Sequence, residues 1–120
     1  MKTSKKDCIV IGSGPGGYAA AFYLADHGRN VLMIEKDDVG GVCLNRGCIP
    51  SKALLNLAAQ LDKNKKLDSQ GLSFGPPSID VKKINEWKAS VVSKLNGGIE
   101  QLASARNVEI IKGRAYFENK

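Results

Sequence analysis

An α/β fold with a parallel sheet is the expectation for this chain, and three features carry it. Two short runs, Asp7 to Ile11 and Asn30 to Ile34, are apolar, β-branched and nearly continuous, as strands covered on both faces tend to be. An alanine-rich stretch of helical length lies between them. A glycine-rich turn joins the first run to that stretch, so the order is strand, turn, helix, strand.

Each element has a local reason. Asp7 to Ile11 is the first strand, with Cys8 in it as a buried small hydrophobe. Gly12-Ser13-Gly14-Pro15-Gly16-Gly17 is the turn, and Tyr18 to Asp26 the helix, with Gly28 suited to the position just past its end. Asn30 to Ile34 is the second strand and closes on Glu35. A second helix is expected from Pro50 to about Lys63, because a proline in the first turn has no helical partner to lose. Asp68 to Ser78, punctuated by Gly71, Gly75, Pro76 and Pro77, is a loop. A third helix covers Asp80 to Ala105. There Ile84, Trp87, Val91, Leu95, Ile99 and Leu102 form one apolar face expected to be core, and Gly97-Gly98 bend the helix or allow close packing. Val108 to Ile111 is another short strand, and Arg114 to Phe117 begins an element that the sequence does not finish.

The bulk composition narrows the function classes. At 120 residues, with 42% hydrophobic and 25% charged, the chain is one domain or part of one, spanning 1–120. The net charge of +6 comes from scattered lysines without interleaved aromatics, which reads as solvated surface and not as a nucleic-acid interface. No apolar run reaches the roughly 18–20 residues of a bilayer span, and the run after the basic start ends too early for a signal peptide. The expectation is a cytoplasmic protein bound to neither membrane nor nucleic acid. Three cysteines there suggest a catalytic pair, Cys43 and Cys48, with Cys8 as a bystander, and not a structural disulfide framework.

Gly12, Gly14 and Gly17 form Gly-x-Gly-x-x-Gly. Gly12 makes the tight exit from the strand, Gly14 lets backbone approach a pyrophosphate, and Gly17 lets the helix pack closely on the sheet. The helix N-terminus offers free N–H groups and a positive dipole end to phosphates. Glu35 answers this turn from the end of the second strand, where a carboxylate can accept both ribose hydroxyls of an adenosine and repel a 2′-phosphate. The pattern indicates a Rossmann-like site for an ADP-containing dinucleotide and leaves FAD and NAD open.

Cys43 and Cys48 lie five positions apart in a glycine-punctuated loop. Residues at that separation in a regular helix have Cα atoms roughly 8.6 Å apart, and a disulfide needs about 4.4–6.8 Å. Gly47 supplies conformational freedom, and Pro50 opposes regular helical bonding through the stretch, so the two thiols can meet ahead of the helix. Cys48 lies near the helix N-terminus, whose dipole stabilises a thiolate. Two unpaired structural cysteines, or zinc ligands, are the competing readings. The spacing matches no common zinc finger, and the only histidine, His27, falls at the far end of the first helix as a surface residue.

The run Gly40-Gly41-Val42-Cys43-Leu44-Asn45-Arg46-Gly47-Cys48-Ile49-Pro50-Ser51-Lys52-Ala53-Leu54-Leu55 resembles the active-site segment of the flavoprotein disulfide reductases. The Ile-Pro-Ser-Lys-Ala-Leu-Leu ending is most similar to the dihydrolipoamide dehydrogenase branch, and glutathione and mercuric reductases share the Cys-x-x-x-x-Cys core. The resemblance implies an incomplete Rossmann-like FAD-binding domain. FAD would be held by Gly12, Gly14, Pro15, Gly17, Glu35, Lys36, Gly41, Val42, Cys43, Lys52 and Ala115. Lys52 would approach the flavin, and Ala115 would meet the adenine end through its backbone. Cys48 would face the flavin, and Cys43 would exchange with the substrate disulfide. The implied activity oxidises the dihydrolipoyl group of 2-oxoacid dehydrogenase complexes with NAD⁺. Members of this family are several times longer, and they carry an NAD-binding domain and an interface domain that makes a homodimer and supplies a His-Glu pair. The chain by itself is therefore expected to be inactive. The alternatives are a mercuric or glutathione-type reductase, or a non-catalytic dinucleotide-binding module.

Overall fold

The computed structural model describes residues 5–119. Strand β1 (Cys8–Ile11), helix α1 (Pro15–Asp26) and strand β2 (Val31–Glu35) come first. The short helix α2 (Gly41–Arg46) and the long helix α3 (Cys48–Leu67) follow, then a 3-10 turn at Asp68–Gln70, helix α4 (Val81–Ala105) and strand β3 (Glu109–Lys112). The three strands form one sheet in the order β1-β2-β3, with β2 parallel to both neighbours. Cys8 pairs with Val31 and Ile11 with Ile34, while Leu32 faces Glu109 and Glu35 faces Lys112.

Alternation along the strands gives the sheet two unlike faces. One carries Val31, Met33 and Ile110, packed with Cys8 and Val10 against Ala21 of α1 and Ala103 of α4. Val31, Met33, Ala21 and Ala103 are almost completely buried, and Val108 joins them at the start of β3. The small side chains of Ala21 and Ala103 let both helices sit close to the strands. Ile9, Ile11 and Ile111 point to the other face and are exposed. Among the described residues β1 is an edge strand with one covered face, as expected of a partial domain that leaves sheet edges and apolar surface uncovered, and the expectation that Cys8 is buried is corrected, since it is only half-buried.

The helix ends follow local chemistry. Gly28 adopts positive φ after α1, where the Gly28 and Arg29 N–H groups donate to the Ala25 and Leu24 carbonyls. Asp80 caps α4 by accepting from the Lys83 N–H at 3.1 Å. Asn107 takes the left-handed conformation just after α4, and the Val108 N–H bonds back to the Ala103 carbonyl.

Three further expectations are corrected. The second helix begins at Cys48 and runs to Leu67, and a separate short helix precedes it where loop was expected. The loop at Asp68 opens with a 3-10 turn. The apolar stripe of α4 is only partly core: Ile99 is buried, whereas Trp87, Leu95 and Leu102 are exposed. The reason is shape. Helices of 20 and 25 residues extend about 30 and 37 Å, beyond the reach of a three-stranded sheet. The molecule is 68 Å long and about 27 Å across, so much of α3 and α4 packs only on the other. Gly97 and Gly98 lie inside an uninterrupted helix with open space where a Cβ would stand, so close packing does not require them.

Candidate functional site

The turn after β1 is built from backbone. Gly12 holds φ +93°, a conformation that other residues rarely take, and its N–H donates to the Ile34 carbonyl at 2.7 Å. A Cβ on Gly17 would overlap the Gly12 carbonyl, so α1 lies against the turn at backbone distance. Gly14 is the N-cap of α1, and a Cβ there would meet nothing within 4 Å. That open wall stands beside a helix N-terminus whose first N–H groups lack helical partners. Pro15 begins α1 and is exposed.

Glu35, only 7% exposed, is fixed from two sides. Its Oε2 accepts from the Ser13 N–H at 2.8 Å and the Ser13 hydroxyl at 2.6 Å, and its Oε1 accepts from the Asp37 N–H at 2.9 Å. Burial alone would raise the Glu35 pKa. Hydrogen bonds from Ser13, Asp37 and the Lys36 backbone outweigh burial and hold the carboxyl below its ordinary value. The anion is thus the native form. Ser13 is fully buried and its hydroxyl also accepts from the Gly40 N–H at 3.1 Å. In sequence, the one mark of Ser13 is that a small hydroxyl residue stands between two glycines.

Gly41 brings the cysteine segment onto the dinucleotide turn. A Cβ on Gly41 would stand 2.7 Å from Gly14 Cα, and Gly41 holds φ +66°. The Gly40 N–H also donates to the Ser13 carbonyl at 3.1 Å. The two motifs therefore touch backbone to backbone, and only glycine allows the approach.

Cys43 and Cys48 form a disulfide with Cα atoms 4.8 Å apart. The chain reaches this spacing by ending α2 at Arg46 and starting α3 at Cys48, with Gly47 between them at φ −126° and ψ −104°. A Cβ on Gly47 would come within 3.3 Å of the Val42 carbonyl oxygen. Cys48 opens α3 and is exposed, whereas Cys43 in α2 is half-buried. Asn45 Nδ2 donates to the Gly41 carbonyl at 2.9 Å and the Val39 carbonyl at 3.0 Å, with a longer contact to Asp38, and its Oδ1 accepts from Asn96 Nδ2 at 2.8 Å.

Two clefts collect most of the residues singled out for a cofactor. One, of about 250 Å³, is lined by Gly14, Glu35, Lys36, Gly41 and Val42, together with Asp37, Asp38, Asn45 and Arg46. The other, of about 240 Å³, is lined by Gly12, Glu35, Lys36 and Ala115. Glu35 and Lys36 line both, so the two clefts are neighbours at the carboxyl ends of the strands, where open α/β sheets bind ligands. Pro15, Gly17, Cys43 and Lys52 line neither, and Lys52 is exposed on α3. Larger hollows of about 520 and 540 Å³ lie against α4. Neither includes the glycine turn. A wall free of Cβ atoms, a helix N-terminus and a held carboxylate fit the ADP part of a dinucleotide.

Known proteins are similar to this chain in sequence and in fold. The profile of the pyridine nucleotide-disulphide oxidoreductases matches residues 6–120. The chain is 49% identical over 111 residues to dihydrolipoyl dehydrogenases of Geobacillus stearothermophilus and Bacillus subtilis, covering 92% of this chain and 24% of each relative. The Buchnera aphidicola enzyme of the same name is 50% identical over 111 residues. The chain thus spans about a quarter of the length of these curated relatives. Among solved structures, the HOCl-induced flavoprotein disulfide reductase RclA from Escherichia coli superposes with a TM-score of 0.71 at 29% identity, over 92% of this chain and 22% of RclA. The parallel sheet, the glycine turn and the adjoining disulfide, together with a profile match that spans almost the whole chain, place it in a family: the chain belongs to the pyridine nucleotide-disulphide oxidoreductases.

Proposed function

We propose that this chain is the FAD-binding and dithiol–disulfide part of a dihydrolipoamide dehydrogenase. The observation that carries the reading is the Cys43–Cys48 disulfide, lodged at a helix break and packed by Gly41 against the dinucleotide turn. Relatives of that name at 49% identity support the choice of branch.

In this reading the α1 N-terminus and the open side of Gly14 receive the pyrophosphate. Glu35 Oε1 takes a ribose hydroxyl, while Ser13 fixes the other carboxylate oxygen. Lys36, Gly41 and Val42 line the path, Ala115 meets the adenine end, and Lys52 reaches toward the flavin. A thiolate of dihydrolipoamide attacks Cys43 Sγ; the Cys43–Cys48 bond breaks and Cys48 leaves as a thiolate. The second substrate thiol, as a thiolate, displaces Cys43 from the mixed disulfide, which releases lipoamide and leaves two electrons on the protein dithiol. FAD, when bound, supplies the two-electron relay from that dithiol to NAD⁺. The NAD⁺ site, the substrate's proton acceptor and the dimer interface belong to a longer protein, a cytoplasmic homodimer serving 2-oxoacid dehydrogenase complexes.

The test uses the full-length protein that carries this chain. Turnover of dihydrolipoamide with NAD⁺ is expected, and Cys43→Ser abolishes it. Denatured wild type should show two more thiols after reduction than before, and Cys43→Ser should show no difference. Turnover of glutathione disulfide or mercuric ion without lipoamide turnover moves the assignment to a sister reductase. An unchanged thiol count in oxidised wild type reduces the chain to a dinucleotide-binding module.

A further inference from the structure

The Cys43–Cys48 loop is held by more than its disulfide. Two features keep α2 and α3 from merging when the bond opens. Pro50 has no N–H to give the Arg46 carbonyl and its ring crowds that carbonyl, which disfavours a continuous regular helix through Gly47. Asn45, between the two cysteines, bonds back within α2 to the Gly41 carbonyl and ties that helix to the Val39 carbonyl and to Asn96 of α4. Both Asn45 donors and its acceptor are engaged. Asn96 keeps its own Oδ1 buried with no partner among the described residues. A buried orphan acceptor is unfavourable, so its retention calls for an explanation.

We propose that Asn45 and Asn96 are positioning residues that hold Cys43 beside Cys48 in the dithiol state. Closure of the disulfide then begins from thiols already in place, so the pair is a better reductant than an untethered loop would be. This rests on the redox role proposed above for the two cysteines. The equilibrium concerned is balanced: glutathione disulfide takes two electrons and two protons from the Cys43 and Cys48 thiols and becomes two glutathione molecules.

The experiment is anaerobic equilibration of the full-length holoenzyme in glutathione buffers, with thiols counted by alkylation and mass. Loss of about one net hydrogen bond predicts that Asn45→Ala lowers the equilibrium constant for closure about tenfold, which raises the potential by about 30 mV. Asn96→Ala removes one bond of the set and is expected to lower it about threefold. The double variant should match Asn45→Ala alone, because both substitutions act through one amide. A merely structural role would lower the melting temperature of oxidised and reduced forms alike and leave this constant unmoved. An Asn45→Ala constant within about twofold of wild type overturns the proposal. If Asn45→Ala does not fold, the Asn96→Ala constant decides in its place. Wild type that forms no disulfide in excess glutathione disulfide refutes the redox role itself, a result distinct from failure of the positioning role.

Discussion

Gly14 and Gly17 sit three residues apart in one motif, yet alanine should act oppositely at the two sites. At Gly17 a Cβ overlaps the Gly12 carbonyl, which is backbone and cannot swing aside. Overpacking of this kind costs up to about 3 kcal/mol, and alanine's better helix propensity returns about 1 kcal/mol, for a net loss near 2 kcal/mol. At Gly14 nothing lies within 4 Å and the backbone, at φ −65° and ψ −179°, accepts any residue. There the entropy gain of Gly→Ala and the poorer N-cap roughly cancel, leaving stability within about 1 kcal/mol of wild type. The Gly14→Ala methyl instead enters the cleft, where loss of one charge-assisted N–H contact to phosphate would weaken FAD binding about 10–100-fold. Urea unfolding followed by circular dichroism reads the first quantity, and flavin titration of the apoprotein reads the second. Gly17→Ala should lower the unfolding midpoint and Gly14→Ala should not. A Gly14→Ala protein that loses about 2 kcal/mol of stability, or one that binds FAD as wild type does, would show that the turn is structural and refute the assignment of its open side to phosphate.

Two further outcomes follow from named contacts. The Glu35 carboxyl is held below its ordinary pKa, so its contribution to stability is complete above the unfolded-state carboxylate value and is lost as pH falls through the lowered folded value. Glu35→Gln should flatten the acid limb of a stability–pH curve and cost about 1–3 kcal/mol at neutral pH through the mispaired Ser13 donors; an unchanged acid limb contradicts this. Asp80→Ala removes the side-chain cap of α4 and should cost about 1 kcal/mol by thermal unfolding, with Asp80→Asn restoring most of it. Equal melting of the alanine variant and wild type would show that the cap carries no stability.

The parts legible in the sequence are those with a local cause. β1, α1 and β2 follow from short, nearly continuous apolar runs, a glycine turn and a glycine stop, all within a few residues of the structure they specify. The helix break at Gly47 was accessible to arithmetic, because five residues of regular helix cannot bring two sulfurs together. The short helix α2 was hidden, since two glycines and the coming break read as loop. Trp87 and Leu102 were misplaced because periodicity reveals an apolar face but not whether anything packs on it. Ile9 and Ile11 misled for the same reason: an apolar strand looks alike with one face covered or two.

By itself the amino-acid order determined the kinds of element, the glycine turn, the answering Glu35 and the capacity of Cys43 and Cys48 to pair. Tertiary structure alone decided how these are joined. Ser13 locks Glu35, Gly41 lies on Gly14, and Asn96 reaches Asn45 across 51 positions of sequence. Hydrogen bonds and close backbone approaches depend on distances of a few ångströms between segments that meet only after folding, and no periodicity or spacing along the chain encodes them.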